Sequence, residues 1–264
     1  MAHKTLVNGT AYEVKGGRCL VNGTGYDIQK GRTLIGGTGY DITFAQQYDP
    51  VFANNTWKQI IDACHNNAVP DTWNVADNKL MTINGVDYQI DIIGKNHDDY
   101  SDGSGKAPLT FQLHDCYADK KAMNNSPTNS GGWTSCAMRS THLPAILALM
   151  PTEVQNGIRE VNKLTSAGDL SSTINTTADK LFLLSEVEIF GSVYTSFAGE
   201  GTQYDYYKDG NSRVKKVNGT EKEWWMRSPY SKHIVFFCAV GTGTGSSAVF
   251  GAPINLGVAF GFCF

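Results

Sequence analysis

Hydrophobic and polar positions alternate with a short period at the start of the chain. TLVNGTAYEV (residues 5–14) returns as CLVNGTGYDI (19–28) and as TLIGGTGYDI (33–42), three copies about fourteen residues apart. Each copy reads as an apolar strand, a turn at Asn8-Gly9, Asn22-Gly23 or Gly36-Gly37, and a second strand built around Tyr. Residues 15–18 and 29–32 read as further turns between copies. A lone two-stranded hairpin is marginal in water. Residues 1–48 are therefore expected to form an all-β hairpin-repeat module for oligomerisation or attachment, most simply a homotrimer. The competing arrangement is a monomeric meander packed on the rest of the chain.

The pattern then changes. Residues 49–78 read as a connector with a short helix, opening near Asn55-Thr56, with Trp57, Ile60, Ile61 and Cys64 at helical spacing and a stop before Pro70. Residues 79–264 read as a second domain. Strands are expected over 81–90, 91–94, 109–113 and 181–184. A helix is expected over 135–150 with Pro144 as an interruption. A second helix is expected from Thr152, on a Thr-x-x-Gln capping pattern, through Lys163. Beyond Glu223 the pattern is strand and turn. The fold class is α+β.

Composition changes this picture little. With 264 residues and 18% charged positions, the chain can bury a large core, and a net charge of -3 gives no footprint for nucleic acid and no polybasic membrane patch. The opening MAHKTLVNGT has no apolar leader run, and the longest apolar stretch, 143–150, is too short to span a bilayer. Cys19, Cys64, Cys116, Cys136, Cys238 and Cys263 form no Cys-x-x-Cys pair and are expected to be free, buried thiols. A Cys116–Cys136 disulfide is the alternative.

Candidate chemistry is sparse. The chain has no nucleophile elbow, phosphate loop or zinc-protease helix. The run Gly241–Gly245, GTGTG, lacks the following Lys and helix of a nucleotide loop. Asp98, Asp99 and Asp102 resemble a calcium loop, but Leu109 stands where a bidentate acid is needed, so a solvated turn is expected. His65, His97, His114, His142 and His233 lack metal-ligand spacing. No cofactor or metal is expected, with a structural cation left open. Glu186 and Glu188 would share a strand face if extended, and with Glu200 they are expected to bind loop backbone. Of the adjacent Trp224 and Trp225, at least one is expected in the core. Arg227 is expected to be a buried hub.

Several of these segments carry a family likeness. LLSEVEI (183–189), EGTQYDYY (200–207), WWMRSP (224–229) and GVAFGFC (257–263) recur together, with IIGKNHDD (92–99), Gly131-Gly132-Trp133 and Met138-Arg139. The combination resembles the C-type-lectin-like variable proteins of diversity-generating retroelements, over residues 79–264. The resemblance implies a C-type-lectin-like fold, shared with formylglycine-generating enzymes. It also implies a C-terminal segment rewritten at template adenines. Those enzymes use a close cysteine pair, whereas Cys238 and Cys263 lie apart in sequence, so no enzymatic activity is expected.

A residue census points the same way. An Asn codon randomised at its first two bases never yields Glu, Lys, Gln, Met or Trp. Those five types fill roughly a sixth of the chain, so roughly five would be expected from His233 to Phe264, and none occurs. The variable segment is placed at about 230–256. Its expected ligand-binding residues are Tyr230, Ser231, His233, Ile234, Val235, Phe236, Ala239, Gly241, Thr242, Thr244, Ser246, Ser247, Val249, Phe250, Ala252, Ile254, Asn255 and Leu256. Trp224, Trp225, Arg227, Phe237, Cys238, Gly257 and Phe262 are expected to be scaffold. The resemblance implies a receptor-binding protein at a phage tail tip, made in the host cytoplasm, with a bacterial surface protein or glycan as partner. The alternatives are a bacterial surface adhesin and a fixed structural tail-fibre protein.

Overall fold

The computed structural model describes residues 48–264 in full and, ahead of them, the backbone of six strands. The chain divides into two units, Met1–Asp49 and Pro50–Phe264. In the first, β1 (Lys4–Val7) pairs with β2 (Thr10–Glu13), β3 (Gly17–Val21) with β4 (Thr24–Ile28), and β5 (Lys30–Ile35) with β6 (Thr38–Thr43), all antiparallel. The repeat is literal: Thr5 faces Tyr12, Cys19 faces Tyr26 and Thr33 faces Tyr40. The Asn8-Gly9, Asn22-Gly23 and Gly36-Gly37 turns lie outside the described residues. The expected second turns are corrected in part, because Gly17-Arg18 begin β3 and Lys30-Gly31-Arg32 begin β5.

The second unit mixes short helices with small antiparallel sheets. A 3-10 turn (Phe52–Asn54) leads into α1 (Trp57–His65), which the Thr56 and Gln59 side chains cap reciprocally. The expected connector belongs to the core of this unit. Phe52, Trp57, Ile60 and Trp73 are buried, and the Trp57 ring meets Phe111 and Phe264 edge-on.

The main sheet runs through β7 (Asn78–Ile83), β8 (Val86–Lys95) and β9 (Leu109–Leu113). Next come α2 (Gly132–Ser135), a π turn (Met138–His142) and α3 (Leu143–Leu147), in place of the single helix expected over 135–150. The helix α4 (Thr152–Gly157) stops well short of Lys163. Residues beyond it alternate between buried and open positions and form β10 (Val161–Gly168), which pairs with β11 (Ser171–Asp179). Two-residue periodicity overrides the capping pattern there. Pro151, not Thr152, occupies the cap and offers no side-chain bond.

After β12 (Leu181–Phe182), Glu186 and Glu188 lie in α5 (Glu186–Phe190), not on a strand. Ser185 and Glu188 form a full capping box there, which decides for helix. Then follow α6 (Asp205–Lys208), β13 (Lys215–Val217), β14 (Thr220–Lys222), β15 (Trp224–Pro229), β16 (Phe236–Val240), β17 (Ser247–Gly251) and β18 (Gly261–Cys263). The five-stranded sheet has the order β12-β18-β9-β8-β7, so the last strand of the chain lies inside it. Phe111, Phe262 and Phe264 cluster on it at ring separations of 5.3–5.4 Å. A second sheet, β15-β16-β17, carries the segment of interest. Among the described residues no helix is long and apolar enough to cross a membrane.

Candidate ligand-binding surface

The surface begins with a buried charged centre. Trp224, Trp225 and Arg227 on β15 are all fully buried, and each indole N–H donates to a backbone carbonyl, of Arg213 and Lys121 respectively. Arg227 forks onto the Glu188 carboxylate, with Nη2 2.9 Å from Oε1, and also donates to Thr165 Oγ1 and to the carbonyls of Leu164, Leu183 and Glu200. Lys163 on β10 lies 2.7 Å from Asp98 and 2.8 Å from Glu188. Asp98 is therefore no solvated turn residue. It is buried, and it accepts from Tyr204 and Thr110 as well. Burial alone would raise its carboxyl, but the Lys163 ammonium and these hydrogen bonds hold it at about 2. Asp99 and Asp102 pair on the surface with Lys106 and Arg159. Charges this buried persist only when paired on every side, and here they lock β10, α5 and β15 together.

From that centre, single side chains reach toward residues 230–256. Asn129 is fully buried. Its amide nitrogen donates to the carbonyls of His233 and Phe236, both at 2.9 Å, and its backbone N–H donates to Ile234. Glu186 collects the N–H groups of Tyr194, Thr195 and Ser196 and the hydroxyls of Thr195, Ser196 and Ser247. Burial pushes that carboxyl up, but the Ser247 and Thr195 hydroxyls and the N–H groups win and hold it below its ordinary value. Lys121 exchanges two backbone hydrogen bonds with Leu256, and the N–H groups of Met123 and Asn124 both donate to the carbonyl of Ala252. The backbone of the segment is thus held by groups outside it.

The expected binding residues divide by position. His233, Ile234, Thr242, Thr244, Ser246, Ile254 and Asn255 are exposed. Tyr230, Ser231, Val235, Phe236, Gly241, Ser247, Val249 and Phe250 are half-buried. Ala239, Ala252 and Leu256 are buried and are corrected to scaffold. Ala239 lies on the middle strand between Trp225 and Ala248, and the other two sit where the chain is tied to residues 121–124. Ser247 is also structural in part, since its hydroxyl donates to Glu186 at 2.6 Å. The residues expected as scaffold, Trp224, Trp225, Arg227, Phe237, Cys238, Gly257 and Phe262, are all buried. The GTGTG run is the β16–β17 turn, closed by the Gly241 N–H on the Ser246 carbonyl at 2.8 Å.

Among the described residues no three His, Cys, Asp or Glu side chains converge as metal ligands. Cys64, Cys116, Cys136, Cys238 and Cys263 are free and buried, so the Cys116–Cys136 pairing is not formed. Burial pushes the thiols of Cys116 and Cys136 up to about 12. The Cys19 side chain lies outside the described residues. His114 is held on Asp91 at 2.7 Å, and the His97 ring stacks on Tyr204 at 4.0 Å.

Sequence reasoning missed Asn129, Lys121 and Thr195 as supports. Lys121 acts through backbone atoms, Thr195 through its backbone and its hydroxyl, and Asn129 sits in a polar loop with no periodicity to single it out. No curated protein and no solved structure matches the chain. A family model does match, that of a domain of unknown function, DUF6273, over residues 109–253. The match runs from β9 through β17 and covers more than half of the 264 residues, so the chain belongs to the DUF6273 family.

Proposed function

We propose that the chain is a non-enzymatic receptor-binding protein with a C-type-lectin-like fold, whose surface over residues 230–256 is rewritten between copies of its gene by a diversity-generating retroelement. In this reading it sits at a phage tail tip, is joined as a homotrimer through the hairpin repeats, and binds a protein or glycan on a bacterial surface. Trimerisation multiplies weak single-site binding into avidity. The observation that carries the reading is the division of labour within one segment. Its backbone is fastened by Asn129, Lys121, Met123 and Asn124, all outside it, while Ile234, Thr242, Thr244, Ser246, Ile254 and Asn255 project into solvent. Such side chains can be exchanged without loss of the fold. The missing Glu, Lys, Gln, Met and Trp from His233 to Phe264 give independent support.

Sequencing the DNA around the gene tests this directly. The expected result is a near-copy of the region encoding residues 224–264, differing only at adenines, together with a reverse-transcriptase gene. A genome holding neither would overturn the diversification reading and leave a fixed lectin-like or structural module.

A further inference from the structure

One loop enters this surface from outside the 230–256 segment. Gly191 ends α5 in the left-handed conformation (φ 69°), and the chain turns back beneath the Glu186 carboxylate. The N–H groups of Tyr194, Thr195 and Ser196 donate to that carboxylate at 2.8–3.0 Å. The Thr195 carbonyl accepts from the N–H of Ser231 at 2.9 Å and from its hydroxyl at 2.7 Å. The Thr195 hydroxyl lies 3.2 Å from Ser247 Oγ on β17. The loop is therefore fastened both to the β15–β16 connection and to β17. What it leaves outward is Val193, 43% exposed, and Tyr194, 62% exposed, with the Tyr194 ring edge-on to Phe190 at 5.6 Å.

We propose that Val193 and Tyr194 are a constant apolar anchor of the binding surface, and that the partner this surface fits is a folded protein presenting an uncharged apolar patch. The inference rests on the reading of residues 230–256 as a binding surface. Of Asp, Glu, Lys and Arg, residues 191–199 and 230–256 contain Lys232 alone, so the surface offers little charge to complement. Val193 is the constant aliphatic side chain open to solvent, and in this chain Ile234 (44% exposed) and Ile254 (46%) are open as well. Aliphatic groups gain by burial against apolar side chains and have nothing to exchange with the hydroxyls of a saccharide. An aromatic side chain on a backbone already fixed by hydrogen bonds loses little freedom on binding, which is how anchor residues of protein interfaces work.

The test displays the full chain with Ile234, Thr242, Thr244, Ser246, Ile254 and Asn255 randomised. Selections run separately against lysozyme, serum albumin, maltose-binding protein and immobilised dextran. The expected result is binders to the proteins whose affinity falls about tenfold or more on Tyr194→Ser, whichever protein was selected against. The melting temperature should not move, because the side chain is exposed. Affinity should change less than about twofold between low and high salt. Protein binders indifferent to Tyr194→Ser would overturn the anchor while leaving the variable surface standing. Binders to dextran alone would overturn the partner class. No binders from any selection would overturn the binding-surface reading itself.

Discussion

Glu200 shows how much one side chain can decide in this core. It is fully buried, accepts the Ser166 N–H at 2.8 Å and is held by the Ser228 hydroxyl, whose oxygen also accepts the Glu186 N–H. Unlike Glu188 it has no side-chain cation bonded to its carboxylate. Burial accordingly pushes its carboxyl from 4.5 up to about 7, with the Ser166 N–H, the Ser228 hydroxyl and the Arg227 charge only partly opposing. The folded state therefore holds a proton that the unfolded chain releases near 4.5. The resulting stability is full below that pH and is lost as pH rises through about 7. Glu200→Gln keeps the site neutral at every pH. Denaturant unfolding at a series of pH values should show the variant gaining on the parent as pH rises from about 4.5 to about 7, by on the order of 3 kcal/mol, with little further change above that. Parallel stability curves for the two proteins would show that the buried carboxyl carries no proton.

Among the elements, the β10–β11 hairpin is the most instructive. Its turn places Asp169 and Leu170 at φ 52° and 62°, the pair of positive values a tight two-residue hairpin turn requires. Leucine is a poor choice there, because its Cβ crowds the carbonyl in the left-handed region. The side chain is half in solvent and contributes little burial in return. Leu170→Asn should therefore stabilise the chain by roughly 0.5–1 kcal/mol, read from the urea midpoint at unchanged slope. Gly168 should tolerate nothing larger, since a Cβ at its φ of 73° would stand 1.8 Å from the Asn129 carbonyl oxygen. The same hairpin marks the limit of what the sequence discloses. Ser-Ala-Gly-Asp-Leu-Ser is not a standard hairpin signal, so the Thr152 capping pattern suggested a helix running on to Lys163. By contrast the Tyr-centred repeats were legible as hairpins, because register and turn chemistry agree in each copy. Ser185 and Glu188 carried a legible capping box that the apolar run Leu181–Leu184 obscured. Arg227 was readable as a buried hub from its place beside two tryptophans. Its partner Glu188, and the Lys163 that also pairs with Glu188, were not, because long-range ion pairs leave no periodic trace.

At the scale of the whole molecule the two units differ in kind. Pro50–Phe264 has its own buried core and internal ion pairs, and among the described residues of Met1–Asp49 the strands form three separate two-stranded sheets. Such hairpins need further burial to persist. If three copies of the chain supply it, the intact protein sediments at three times its 28.8 kDa. A variant beginning at Pro50 should then sediment as a monomer with an unchanged unfolding midpoint at high concentration. A monomeric intact chain would remove the repeats from any role in assembly.

Within residues 230–256, Phe237, Cys238, Ala239, Val240, Ala252 and Leu256 are buried and Ser247 is bonded to Glu186, while Ile234, Thr242, Thr244, Ser246, Ile254 and Asn255 are exposed. If this stretch is rewritten as proposed, those buried and bonded positions set the fraction of stillborn offspring. A genome that spelled them without adenine in the first two letters would shield them from rewriting at no loss of diversity elsewhere. Selection on the fold would then be visible as spelling, in a gene whose neighbouring letters are left to chance.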